Sequence, residues 1–313
     1  MFNRYWRSYP WFFQLVQFII LIAVLASFFV FAITPMVLNV MHVTTNDVIA
    51  ISDKSPRNVV DAALITQVLV SIGIFVLPVL LFAYFTHPRP AKYLGLVKPG
   101  KAIHWILAPI VIISATPLFI GIAELIGHID FGSSVKEAQA VNDRTFKAML
   151  TMTTPAQLIA SFFVLAILPG VSEELFFRGL IMRFAAKRAR TIVFPLVVSA
   201  VLFALMHSNL YGMLSIFLAG TLLGTIYYLT GSLWCSIIAH ACYNGLQVLL
   251  TYLADKSETL KAIDEHNSVP LSWVIIGIVI FAGTFYLLWK NRTPLPDDWS
   301  ADYSQDELME EAQ

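Results

Sequence analysis

The 313-residue chain is 58% hydrophobic and 13% charged, with a mean hydropathy of +0.74. Soluble domains run about 45–50% apolar and about 25% charged, and a folded chain in water needs a polar exterior, so a soluble enzyme, a disulfide-stapled secreted scaffold and a disordered regulator are excluded. Lys plus Arg equals Asp plus Glu at 20 each, which leaves no basic excess for nucleic acid.

In chain order, eight apolar stretches are long enough to cross a bilayer, which takes about 17–25 helical residues. They lie near 11–33, 62–85, 103–126, 156–184, 192–208, 212–230, 233–253 and 270–289. The expected fold is therefore all-α, a polytopic membrane helix bundle of about eight transmembrane helices. The first stretch is longer than a signal-peptide core, and Val30-Phe31-Ala32 is a weak cleavage site; Trp6, Trp11, Phe12 and Phe13 read as an interfacial belt. Residues 127–155 read as the longest external loop, with 146–150 along the membrane surface. Gly220 and Gly224 form a GxxxG pair suited to close helix packing. Cys235 and Cys242 are too far apart on one helix to pair and read as packing residues. Glu124, Gln67 and Gln247 read as packing or cavity polarity.

Loop charge sets an expected orientation. Arg4, Arg7, Arg89, Lys92, Lys98, Lys101, Arg183, Lys187, Arg188, Arg190, Lys290 and Arg292 fall on one side. Lys54, Arg57, Lys136, Arg144, Lys147, Lys256 and Lys261 fall on the other, mostly among acids. The positive-inside rule then puts both termini in the cytoplasm. The tail carries Asp297, Asp298, Asp302, Asp306, Glu307, Glu310 and Glu311 and reads as a solvated acidic segment. Three parts are expected: 1–154, transmembrane helices and loops; 155–253, a helical core; 254–313, the last transmembrane helix and the acidic tail.

Ionisable groups inside a bilayer are costly, so each needs a reason. The fourth stretch holds Ser172, Glu173, Glu174 and Arg178; the fifth ends in Phe203 and His207; the seventh holds His240 and Asn244. At 1.5 Å per residue Glu173 lies roughly 16 Å from the basic edge, His207 roughly 22 Å, and His240 and Asn244 roughly 12 and 18 Å. One shared layer near the midplane is expected. Glu174 and Arg178 are i,i+4 and suited to an ion pair, which leaves Glu173, turned about 100° away, as the reactive acid. Pro169-Gly170 is expected to break or kink the fourth helix, with Ser172 capping the next segment.

EExxxR (Glu173, Glu174, Arg178), FxxxH (Phe203, His207) and HxxxN (His240, Asn244), in this order on successive spans, resemble the motifs of the CPBP family. That is the CAAX-protease and bacteriocin-processing group of intramembrane endopeptidases, also called Abi. The stretch SEELFFRGL at 172–180 is especially similar, and the resemblance covers about residues 155–250.

The resemblance implies hydrolysis of a membrane-associated protein or peptide. Glu173 would be the general base, His207 and His240 would polarise water or bind the oxyanion, and Asn244 would donate to the oxyanion. Glu174, Arg178 and Phe203 would be structural support. Two chemistries fit: one divalent metal, zinc, on His207 and His240 with a carboxylate as a further ligand and an open position for water, or a metal-free glutamate mechanism; no HExxH is present. The expected setting is a bacterial inner membrane, with the lipid bilayer and a peptide substrate as partners and no nucleic acid. The alternatives are a noncatalytic immunity or regulatory partner and a proton-coupled transporter, the latter disfavoured by the lack of paired halves.

Overall fold

A computed structural model describes residues 5–254 and 269–303. Tail acids Asp306, Glu307, Glu310 and Glu311 and loop cations Lys256 and Lys261 lie outside the described residues. Among the described residues there are helices and turns and no strand. Nine main helices follow one another there: α1 Trp11–Val40, α2 Arg57–Thr86, α3 His104–Gly127, α4 Ser133–Met149, α5 Pro155–Ala186, α6 Val193–Met206, α7 Met213–Thr230, α8 Leu233–Ala254 and α9 Leu271–Lys290. All but α4 and α6 are long and apolar enough to cross a membrane. The chain is a polytopic helical membrane bundle.

Two expectations change. The fifth stretch is a 14-residue helix, roughly 21 Å at 1.5 Å per residue, short of the ~30 Å hydrocarbon core. It stops early because His207 and Ser208 form a turn, Ser208 with φ 49°. The connection at 127–155 is not all loop: α4 fills most of it, an amphipathic helix whose one buried residue is Ala148. Its polar sequence reads as a loop because only one narrow apolar stripe touches protein.

Proline placement explains an irregularity shared by three spans. Wide π-turns occupy Phe29–Ile33, Ile72–Val76 and Phe163–Ile167, and each ends two residues before a proline (Pro35, Pro78, Pro169). Proline lacks the N–H for the i−4 carbonyl and its ring collides with that carbonyl; a wider turn relieves both. Helix α5 is therefore not broken at Pro169-Gly170 but continues through it. Ser172 is no cap: it is fully buried inside Leu168–Glu174, and its hydroxyl has no partner among the described residues. A further π-segment, Leu175–Ile181, carries Arg178 and follows no proline.

The bundle is organised around two contacts. Helix α3 packs on α7, α8 and α9, and the middle of α5 packs on α8. A Cβ on Gly170 would fall 2.9 Å from the backbone nitrogen of Ala241, so only glycine lets α5 and α8 approach this closely. Cys235 and Cys242 are both free, and Glu124 is exposed near the end of α3.

The acidic tail, expected to be solvated, is folded back in its described part. Thr293 N–H donates to Leu229 (2.8 Å) and Leu295 N–H to Tyr228 (2.9 Å). Asp302 accepts from Lys187 Nζ (2.5 Å) and Gln14 Nε2 (3.2 Å). Arg183, at the end of α5, lies over the rings of Tyr93 (4.2 Å) and Trp299 (5.5 Å). Residues 291–303 thus form a strap joining α1, α5 and the α7–α8 turn at the end that carries Arg7, Arg183 and Lys187. Burial pulls the Lys187 ammonium below its ordinary pKa while the Asp302 carboxylate opposes that shift. Trp6, expected in a belt facing lipid headgroups, packs on Phe82 and Phe85.

Candidate active site

Glu174 is the structural centre of the polar cluster. Its side chain is fully buried, and Oε1 accepts from Arg178 Nη1 at 2.6 Å and from His240 Nδ1 at 2.9 Å. Oε2 accepts from the Ser236 hydroxyl. Arg178 spends its second arm on the Gly220 carbonyl of α7 (2.6 Å) and stacks over Phe203 at 4.7 Å. The close passage of α7 that this needs is why residue 220 is glycine: a Cβ there would lie 3.0 Å from Phe203 Cδ1. One carboxylate and one guanidinium therefore tie α5, α7 and α8 together.

The neighbouring carboxylate is in a different state. Glu173 keeps a side-chain exposure of 15%, and its buried Oε2 has no hydrogen-bond partner among the described residues. It stands 3.9 Å from His240 Nε2. Glu174, a carboxylate that accepts from three donors, takes His240 through Nδ1–H, which turns Nε2 toward Glu173. His240 sits between the two acids, one ring nitrogen toward each. The two glutamates thus share a neighbour, whereas helical rotation suggested separate ones; the change from α to π geometry begins at the next residue.

Phe203 links the remaining groups. Buried at 3% exposure, its ring contacts His207 (centroids 4.6 Å apart), His240 (5.7 Å) and Phe177 (5.2 Å). His207 is exposed in the turn that ends α6, not deep within a helix, and its Nδ1 bonds to the Phe203 carbonyl at 2.8 Å. A carbonyl only accepts, so Nδ1 of His207 carries a proton, too. Asn244 follows His240 by one turn on α8 and is half-buried.

Two members of the cluster escaped the sequence reading. Ser236 continues the four-residue spacing of His240 and Asn244 backwards along α8, a signal present in the sequence. Gly220 was legible as a packing glycine but not as the carbonyl that receives Arg178, because a backbone acceptor leaves no mark on residue type.

For a metal, each histidine is bonded through Nδ1, so Nε2 is the nitrogen that could face an ion. The donors are not grouped to use it: among the described residues no set of three or more His, Cys, Asp or Glu side chains could hold an ion. A catalytic zinc takes three protein ligands with an open fourth position, and this arrangement does not fit that requirement.

A helical membrane bundle with a buried, fully paired acid next to an unpaired one defines a membrane-embedded polar site. Residues 155–246 match the family described as type II CAAX prenyl endopeptidase Rce1-like. This stretch holds every group of the cluster, and over it the chain is similar to that family, in line with the resemblance of its motifs. No curated protein and no solved structure matches the chain.

Proposed function

We propose that the protein hydrolyses peptide bonds of membrane-associated proteins or peptides by a metal-free mechanism with Glu173 as general base. One observation carries this reading: Glu173 Oε2, which has no hydrogen-bond partner among the described residues, faces His240 Nε2 at 3.9 Å. That gap is too long for a direct hydrogen bond and short enough for one water to touch both. Such a water gives one proton toward Glu173 and the other toward His240, leaving an oxygen lone pair for a peptide carbonyl. Glu173 takes the proton as the C–O bond forms, then returns it to the amine as the C–N bond breaks. Asn244 donates its amide to the oxyanion; His207 adds a second donor at Nε2 only as imidazolium, since its other N–H is committed to Phe203. Glu174, Arg178 and Ser236 hold His240 in place.

The proposed setting is a bacterial inner membrane with both termini cytoplasmic, so that the strap and Arg183 lie on the basic side. The test compares protein N-termini in membranes of cells making the wild type and Glu173→Gln. A cleavage product formed only by the wild type is expected; identical N-termini would refute proteolysis and favour a noncatalytic partner. Pre-incubation with 1,10-phenanthroline is expected to leave the rate within about twofold; abolition restored by zinc would establish a metal-dependent site.

A further inference from the structure

The turn that carries His207 is gripped from outside the helical core. Ser208, the next residue, has φ 49°, a left-handed conformation that a side chain disfavours. Its carbonyl accepts from Asn142 Nδ2 of α4 at 3.1 Å. Ahead of α4, Phe131 meets Tyr211 edge-on with centroids 5.2 Å apart, and Asn209 Oδ1 accepts from Gly212 N–H at 2.7 Å. At its other end α4 is tied to α2, where Arg57 donates to the Thr151 carbonyl (3.0 Å) and pairs with Asp61 (2.6 Å). The helix thus bridges two fixed points, and Asn142 is its contact with the candidate site.

We infer that Asn142 is a positioning residue for the reaction. By holding the Ser208 peptide in its left-handed turn it fixes where the imidazole of His207 stands. It lies outside the stretch 155–246 that matches the protease family, and it acts through His207 rather than on substrate. The amphipathic α4 thereby becomes a clamp across the site: a movement of α4 releases His207, and an ordered α4 holds it. This inference rests on the proteolytic reading.

The experiment uses the full-length protein in detergent and a peptide spanning the cleavage site found by the N-terminus comparison. Asn142→Ala and the isosteric Asn142→Asp, which replaces the donor with an acceptor, lower kcat on the order of tenfold with KM unchanged. Adding Ser208→Gly to Asn142→Ala restores most of the rate, because glycine takes the left-handed turn without the clamp. A merely structural role would not give that recovery. Wild-type kcat in Asn142→Ala, or a loss that Ser208→Gly leaves in place, overturns the inference. If Glu173→Gln cleaves as the wild type does, or no Glu173-dependent product exists, the proteolytic reading falls and takes the inference with it.

Discussion

Replacing Arg178 with methionine tests the architecture of the cluster. Arg178 and Glu174 are both fully buried, 2.6 Å apart, and Arg178 also serves the Gly220 carbonyl at 2.6 Å. Methionine fills most of the volume but strands the Glu174 carboxylate among α5, α7 and α8 without its guanidinium. Breaking one side of a buried pair costs about 3–5 kcal/mol. The Gly220 contact does not add fully to this because the two share one guanidinium, so a loss of about 4 kcal/mol is expected, near a thousandfold in the folding equilibrium. Adding Glu174→Gln removes the stranded charge while keeping an acceptor for His240 and a group to meet Ser236. The double variant is expected to regain at least half the loss. Equilibrium unfolding in mixed micelles titrated with sodium dodecyl sulfate, followed by tryptophan fluorescence, measures all four corners of the cycle. A single variant within about 1 kcal/mol of the wild type, or a double variant no more stable than Arg178→Met, would refute the idea that an unpaired charge is what Arg178 prevents.

Two other outcomes follow from the geometry. Gly170→Ala puts a methyl 2.9 Å from the Ala241 nitrogen, forcing α5 from α8 at a cost of about 1–3 kcal/mol; the product-forming rate falls at least tenfold, whereas Gly283→Ala, with nothing within 4 Å of its Cβ, leaves rate and stability unchanged. Tyr93, between α2 and α3, has its phenol pushed by burial from the usual 10.0 to about 12, with Arg183 opposing. The folded state then holds a proton that the unfolded state releases, so this contribution is whole below pH 10 and is lost as pH rises toward 12. A site-labelled Tyr93 resonance titrating near 10, or a Tyr93→Phe protein with the same alkaline decline, would contradict this.

The spans and cluster were legible because the bilayer makes polarity conspicuous: among long apolar runs, Glu173, Glu174, Arg178, His207, His240 and Asn244 cannot be ordinary surface. The Glu174–Arg178 pair followed from helical spacing alone. What was hidden depended on three-dimensional partners. Helix α4 has loop-like composition, yet it holds the His207 turn through one asparagine. The tail reads as solvated acid until Lys187 and Gln14, far away in sequence, are brought to Asp302. His207 stands in a turn rather than within a helix because Ser208 ends α6 in a left-handed conformation, which residue type does not announce. The π-turns, by contrast, were encoded by Pro35, Pro78 and Pro169, with a signature two residues upstream of each.

The strap also imposes an order in time. Helix α5 is anchored at one end by Arg183, bonded to the Tyr93 carbonyl already synthesised, and by Lys187, whose partner Asp302 lies 115 residues downstream. All the polar groups of the cluster emerge from the ribosome before that partner exists. A nascent chain therefore inserts Glu173 and Glu174 while the end of the helix that bears them is only half secured, and the Lys187–Asp302 pair closes after α9 is in place. Fusions, truncations or nicks between residues 291 and 303 consequently act on the helix that bears the acids, although they are made far along the chain from it.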